Sequence, residues 1–182
     1  MRIVGIDPSL RSTGYAEIHD GALTLDTFGA PGRPTFGGRI ARVQTVALSI
    51  VLRVVDAPAA PDLVVIEGPS LGQRRQGGQF DRHGLWWIVV GDLHSHGVNL
   101  AVVPPASLKV FATGTGKAAK VDMMEAAARQ WPHVKFRNHD QVDAAWLCAM
   151  GAEHLGVMPP AGGRRSAALR KIEWPDVKIG AN

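Results

Sequence analysis

Four carboxylates stand out by position. Asp7 closes an apolar, β-branched run at residues 2–6, and Glu67 closes another at 63–66. A strand is normally continued by a further apolar residue or ended by a turn former. Asp7-Pro8 has a turn explanation, but glutamate has no special turn role. Asp140 and Asp143 lie three apart in a helical segment, a spacing that puts both on one face. The helix macrodipole favours acids in a first turn, so a solvated helix start explains that pair as well. The four together carry a different implication. Gathered at one sheet edge they would repel and raise one another's pKa values unless a cation neutralised them. Hard oxygen ligands select Mg²⁺ or Mn²⁺. Two such ions about 3.5–4 Å apart can activate a water and stabilise the leaving oxygen of an in-line phosphoryl displacement. The chemistry predicted from these residues is phosphodiester hydrolysis.

Basic residues sit where such a site would need them. Lys117 and Lys120 follow a glycine-rich loop at 114–116 and are expected in the first turn of a helix, where free N–H groups favour a phosphate and an ammonium adds a point charge. An ordinary surface pair is the alternative. The loop is not a nucleotide-binding P-loop, because Phe111 occupies the first required glycine position and Ala118 follows Lys117. No nucleotide cofactor is expected. Directly after Glu67, residues 68–79 are rich in Gly, Gln and Arg, and Arg74 and Arg75 are candidate contacts to a phosphate backbone. The formal charge of +4 is unevenly spread: residues 159–182 hold five basic against two acidic residues. Local basic patches on a near-neutral body suit a polyanionic partner. His94-Ser95-His96 lacks companion ligands at a known metal-site spacing, and His139 is read as a first-turn residue beside Asp140.

The elements that must position these residues follow from pattern. Residues 2–6, 14–19 and 22–28 read as three short strands, the last two joined by the hairpin dipeptide Asp20-Gly21. From Arg39 onward Ile40, Val43, Ala47, Ile50, Val51 and Val54 recur at helical spacing until Pro58. A buried-type strand at 63–66, a helix at about 80–96 and a strand at 98–103 come next, the last stopped by Pro104-Pro105. Helices are expected at about 118–130 and 139–154. Asn138 caps the second, and Gln141 is placed to return the capping bond. The order β-β-β-α-β-α-β-α-α predicts an α/β fold with a mixed sheet and helices on its faces. With 182 residues, 46% of them hydrophobic, the chain suits a single domain. That domain is expected over 1–156, and 157–182 is expected to be a basic, flexible tail. The longest apolar run is far short of the ~20 residues of a membrane helix, and Met1 leads straight into a strand without a signal-peptide pattern. The expected compartment is the cytoplasm, or that of the host for a phage-encoded chain. Cys148 stands alone, so neither a disulfide nor a cysteine zinc site can form.

Over residues 1–156 the sequence resembles the RuvC-type Holliday junction resolvases of the RNase H-like superfamily, bacteriophage members among them. Met1-Arg2-Ile3-Val4-Gly5-Ile6-Asp7-Pro8-Ser9-Leu10 with Ser12-Thr13-Gly14-Tyr15-Ala16 is similar to the family's opening strand and turn. Val64-Val65-Ile66-Glu67 is similar to its second acidic motif, and Asp140-Gln141-Val142-Asp143-Ala144-Ala145 to its D-x-x-D-A helix start. The segment from Pro105-Ala106-Ser107-Leu108-Lys109 to Gly114-Thr115-Gly116-Lys117-Ala118-Ala119-Lys120 resembles the one that sets a lysine beside the scissile phosphate. The resemblance implies an RNase H-like fold with a five-stranded mixed sheet, its first three strands antiparallel, flanked by helices on both faces. It implies a metal-dependent endonuclease that resolves four-way junctions as a homodimer. Asp7, Glu67, Asp140 and Asp143 take the metal-binding catalytic positions for two Mg²⁺ or Mn²⁺ ions. Lys120 takes the catalytic lysine position, and Lys109, Lys117, Arg74 and Arg75 are assigned to DNA. The helix bearing Trp86 and Trp87 matches one that contributes to dimerisation. Where family members carry an aromatic wedge shortly after the glutamate, this chain has Leu71 and no aromatic before Phe80. Broader cutting of forks and flaps is therefore an alternative, as is a non-catalytic DNA-binding protein on the same fold. Sugar kinases and actin-like proteins open similarly but need a second phosphate-binding half that 182 residues do not supply.

Overall fold

The computed structural model describes residues 1–32, 35–69 and 78–177. Five strands form one sheet: β1 (Arg2–Asp7), β2 (Thr13–His19), β3 (Ala22–Phe28), β4 (Leu63–Glu67) and β5 (Leu100–Val103), in the order β3-β2-β1-β4-β5. β1, β2 and β3 are antiparallel, whereas β4 and β5 run parallel to β1. The hairpin turns at Asp20 and Gly21, both at positive φ, which is the backbone that this dipeptide tolerates. This is the mixed sheet predicted from the element order.

Strand alternation decides which helix each residue meets. On one face Val4, Ile6, Tyr15, Val64 and Ile66 pack against α1 (Phe36–Val55) and α2 (Gln79–Ser95). On the other, Ile3, Ala16 and Ile18 meet Ala144, Ala145 and Cys148 of α5 (His139–His154). Leu63 and Val65 join that side with Ala101 and Val103, under α3 (Pro105–Thr113), α4 (Lys120–Gln130) and α5. Asp7 shares the alternation of Ile3 and Gly5, and Glu67 that of Leu63 and Val65. Both acids therefore project toward the α5 face.

Three boundaries differ from the pattern reading. α1 starts at Phe36, where the Thr35 hydroxyl accepts from the Gly38 N–H at 3.1 Å; Gly37 and Gly38 hide that turn from propensity. Residues 105–113 form a helix that the proline pair obscured, since Pro105 sits in its first turn, where a missing N–H is harmless. The flexible tail expected after residue 156 does not hold over 163–177. There α6 (Gly163–Leu169) packs on α3, Ala168 and Ile172 are buried, and Leu169, Trp174 and Val177 rest on the same core. Few apolar residues spaced among Gly and Arg gave that segment no visible periodicity. Among the described residues, no helix is long and apolar enough to cross a membrane.

Candidate active site

Parallel pairing sets the first two acids side by side. Ile6 stands opposite Ile66 in the β1–β4 register, so Asp7 and Glu67 follow at the carboxyl ends of adjacent strands. Trp86 of α2 is largely buried and its indole N–H donates to the Glu67 carbonyl at 2.9 Å, fixing the strand end from behind. Its neighbour Trp87 points outward and is 68% exposed.

α5 brings the other two acids, and it lies on the sheet at backbone distance. A Cβ at Gly5 would stand 2.1 Å from the Ala144 carbonyl oxygen, and one at Gly14 would stand 1.8 Å from that of Asp140. Only glycine at these two positions lets the first turns of α5 reach the end of β1. The helix start is held as well as admitted. The Asn138 side chain accepts from the Gln141 N–H at 2.9 Å and donates to the Ser12 hydroxyl at 3.2 Å, tying α5 to the β1–β2 turn. Gln141 reaches back to the N–H of Arg137 at 2.8 Å, one residue earlier than the expected cap position.

The four acids lie near enough to act on one another electrostatically. Burial raises Asp7 well above the usual carboxylate range, with Glu67 and Asp140 adding to it and Lys120 opposing. Burial brings Glu67 to about 7; a hydrogen bond with Asp7 and the Lys109 ammonium work against this, and Asp143 and Asp140 reinforce it. Asp143 reaches about 7 through burial, Asp7 and Asp140, against Lys120 and Lys109. Among the described residues no three of these side chains already converge at metal-ligand spacing. The donor set itself, all oxygen and partly buried, suits a hard divalent ion.

Lys120 is the first residue of α4, and its charge acts on Asp7 and Asp143. Lys109 lies on α3, and its charge acts on Glu67 and Asp143. Lys117 departs from expectation: it is exposed in the turn before α4 rather than in the helix, and it is not among the principal charges on the acids. His139 is half-buried, and its Nδ1 is buried without a hydrogen-bond partner. Arg74 and Arg75 fall outside the described residues, as does Leu71. The pattern reading missed the close approach at Gly5 and Gly14, although both glycines lie in the motif around Asp7. It also missed the anchoring role of Trp86.

No protein-family model matches the chain. Two curated relatives do: the crossover junction endodeoxyribonuclease RuvC of Paracoccus denitrificans, 24% identical over 164 residues, covers 85% of this chain and 93% of its own length. The RuvC of Pelobacter propionicus is 26% identical over 167 residues, covering 85% of this chain and 89% of its own length. Among solved structures, Thermus thermophilus RuvC superposes with a TM-score of 0.65 at 17% identity, over 86% of this chain and 97% of the other. The same protein in complex with a Holliday junction substrate gives 0.64 at 16% identity, over 86% and 96%. With β1, β4 and α5 delivering acids to one sheet edge, the chain is similar to RuvC proteins over most of its length and shares the fold of Thermus thermophilus RuvC.

Proposed function

We propose that this chain is a structure-specific DNA endonuclease that resolves Holliday junctions by hydrolysing phosphodiester bonds on opposed strands. The observation that carries the reading is the meeting of Asp7, Glu67, Asp140 and Asp143, delivered by two parallel strand ends and one helix start, as mutually repelling acids flanked by lysines. Two Mg²⁺ or Mn²⁺ ions held by these four side chains would supply the activated water and stabilise the leaving oxygen. Asp7, which interacts with both Glu67 and Asp140, would help to hold the metal. Lys120 and Lys109 approach from two different helices and hold the phosphate whose charge grows in the transition state. The loop bearing Arg74 and Arg75 continues from Glu67 and supplies backbone contacts.

A four-way junction has approximate two-fold symmetry, and so does a dimer with two such sites. The outer face of α1 and α2 suits a second copy: Phe36, Phe80 and Trp87 are exposed there, beside Ile40 and Ile88. Monomeric proteins rarely leave so many large apolar side chains contiguous. One feature favours a broader substrate range. Leu71 stands where family members carry an aromatic wedge, so forks and flaps are cut as well if wedging is what confers junction selectivity.

Purified protein incubated with Mg²⁺ or Mn²⁺ and labelled four-way, forked, flap and linear DNA tests the reading. Paired nicks in the four-way junction are expected. Failure to cut any branched substrate would reject the nuclease, whereas equal cutting of linear duplex would reject only the structure preference.

A further inference from the structure

We propose that the cleft between α3, the turn at 114–116 and α6 binds a backbone phosphate of the DNA beside the cut, making the C-terminal segment a built part of the DNA site. This rests on the nuclease reading of the carboxylate cluster. The cleft has a volume of about 380 Å³; Ser107 and Thr115 line one side, and Arg164 and Lys171 the other.

α6 is held on the body by one arginine and leaves another free. The Arg165 Nε donates to the Phe111 carbonyl at 2.6 Å, and its guanidinium lies 5.7 Å from the Phe111 ring centre and 5.4 Å from that of Trp146. Ala168 and Ile172 are buried beneath it, and Trp174 stacks on His154 at 4.2 Å. Arg164 and Lys171 are exposed at the cleft and enter no ion pair among the described residues. Two unneutralised cations facing two hydroxyl groups across a concavity form a site for an anion, with the charge supplied by one wall and directional donors by the other.

Continuity with the active site identifies the anion as part of a DNA strand. The turn that lines the cleft runs directly into exposed Lys117 and then Lys120, whose charge acts on Asp7 and Asp143. α3 carries Lys109 toward the acids, while Ala106, Ser107 and Val110 border the cleft. A strand held at the acids and crossing that turn meets Lys120, Lys117 and then the Arg164–Lys171 pair. The described basic residues after 156, which composition alone reads as diffuse attraction, are thereby divided: Arg165 docks the helix, Arg164 and Lys171 bind, and Arg170 does neither.

Binding of a labelled four-way junction, followed by fluorescence anisotropy in EDTA over a range of salt concentrations, tests this without any cleavage. The variant Arg164→Ala/Lys171→Ala is expected to bind about tenfold more weakly, with the slope of log K against log salt reduced by about 1–2, as for the loss of one or two phosphate contacts. Its melting temperature should match the parent, because both side chains are exposed. Ser107→Asp, which places a negative charge in the cleft from the opposite wall, should also weaken binding. Arg170→Ala should change affinity less than twofold. Unchanged affinity and slope in the double variant and in Ser107→Asp would overturn the proposal while leaving the nuclease reading intact, and so would an equal loss in Arg170→Ala, which would mean diffuse charge. Stabilisation of the parent alone by inorganic phosphate, with DNA affinity the same in parent and double variant, would mean a small-anion site and overturn it too. Absence of DNA binding by the parent would overturn this proposal and the nuclease reading together.

Discussion

The two ends of β1 both bury charge, and they treat it in opposite ways. At the amino end the Arg2 guanidinium, 2% exposed, meets Glu17 at 3.1 Å and the carbonyls of Val54 and Ala59 at 2.8 and 2.9 Å. The Tyr15 hydroxyl donates to the same Glu17 at 2.6 Å. Burial alone would raise Glu17, yet Arg2 and Tyr15 outweigh it and hold the carboxyl below its ordinary value. At the carboxyl end Asp7 is raised, as are Glu67 and Asp143 beside it, with lysines only partly offsetting burial and repulsion. One strand thus carries a paired-charge network that holds the fold, with the Arg2 Nε alone of its guanidinium nitrogens unpartnered, and a cluster of acids that repel one another. Titratable groups left so strongly perturbed are candidates for function.

The largest expected effect lies at the paired end. Arg2→Ala strips the partner from buried Glu17 and should destabilise the protein by about 3–5 kcal/mol, lowering the melting temperature by roughly 10 °C. A smaller change would show that the network is more hydrated than its burial suggests. Gly14→Ala comes next. Its Cβ would stand 1.8 Å from the Asp140 carbonyl oxygen, so α5 must lift from the sheet. Overpacking of this kind destabilises by about 1–3 kcal/mol, and displacement of Asp140 and Asp143 should reduce cleavage more than stability. Thermal melts beside cleavage rates distinguish the two losses.

The ends also part company with pH. A carboxyl raised in the folded state contributes stability that is complete below its unfolded pKa and is lost as pH rises through its folded value. For Glu67 and Asp143 that loss begins in the ordinary carboxylate range and is complete only above about 7. Glu17, lowered in the folded state, contributes stability that is lost only in acid. Protein in EDTA should therefore melt several degrees higher at pH 6 than at pH 8 and weaken again as Glu17 protonates. Asp143→Asn should flatten the upper part of that profile, and Mg²⁺ should do the same for the parent. The smallest displacement of a pH profile is expected from Lys109→Gln. Losing that ammonium should raise Glu67 and Asp143 further and move the alkaline-rising limb of the cleavage profile upward by a few tenths of a pH unit.

Much of this comparison was legible from residue order and part was not. Alternation and the Asp-Gly turn define the antiparallel strands, and acids that end apolar runs announce the site, because those signals are local. The roles of Gly5 and Gly14 depend on a helix more than a hundred residues away. α3 hid behind Pro105, and α6 among glycines and arginines. Arg2 read only as the flank of an apolar run; nothing local tells that its side chain crosses to Glu17 and the end of α1. The reach of Lys109 required α3 to exist. Local pattern revealed which residues have unusual chemistry, and long-range packing determined which of them are compensated.

The most direct test of the central claim is the rate of four-way junction cleavage in Mg²⁺ by the parent and by Asp7→Asn, with folding and junction binding measured on the same samples. The account predicts cutting by the parent that EDTA abolishes, and at least a thousandfold slower cutting by a variant that binds the junction and melts no lower than the parent, since removing an uncompensated acid relieves the cluster. Cleavage surviving in Asp7→Asn at near the parent's rate would contradict it.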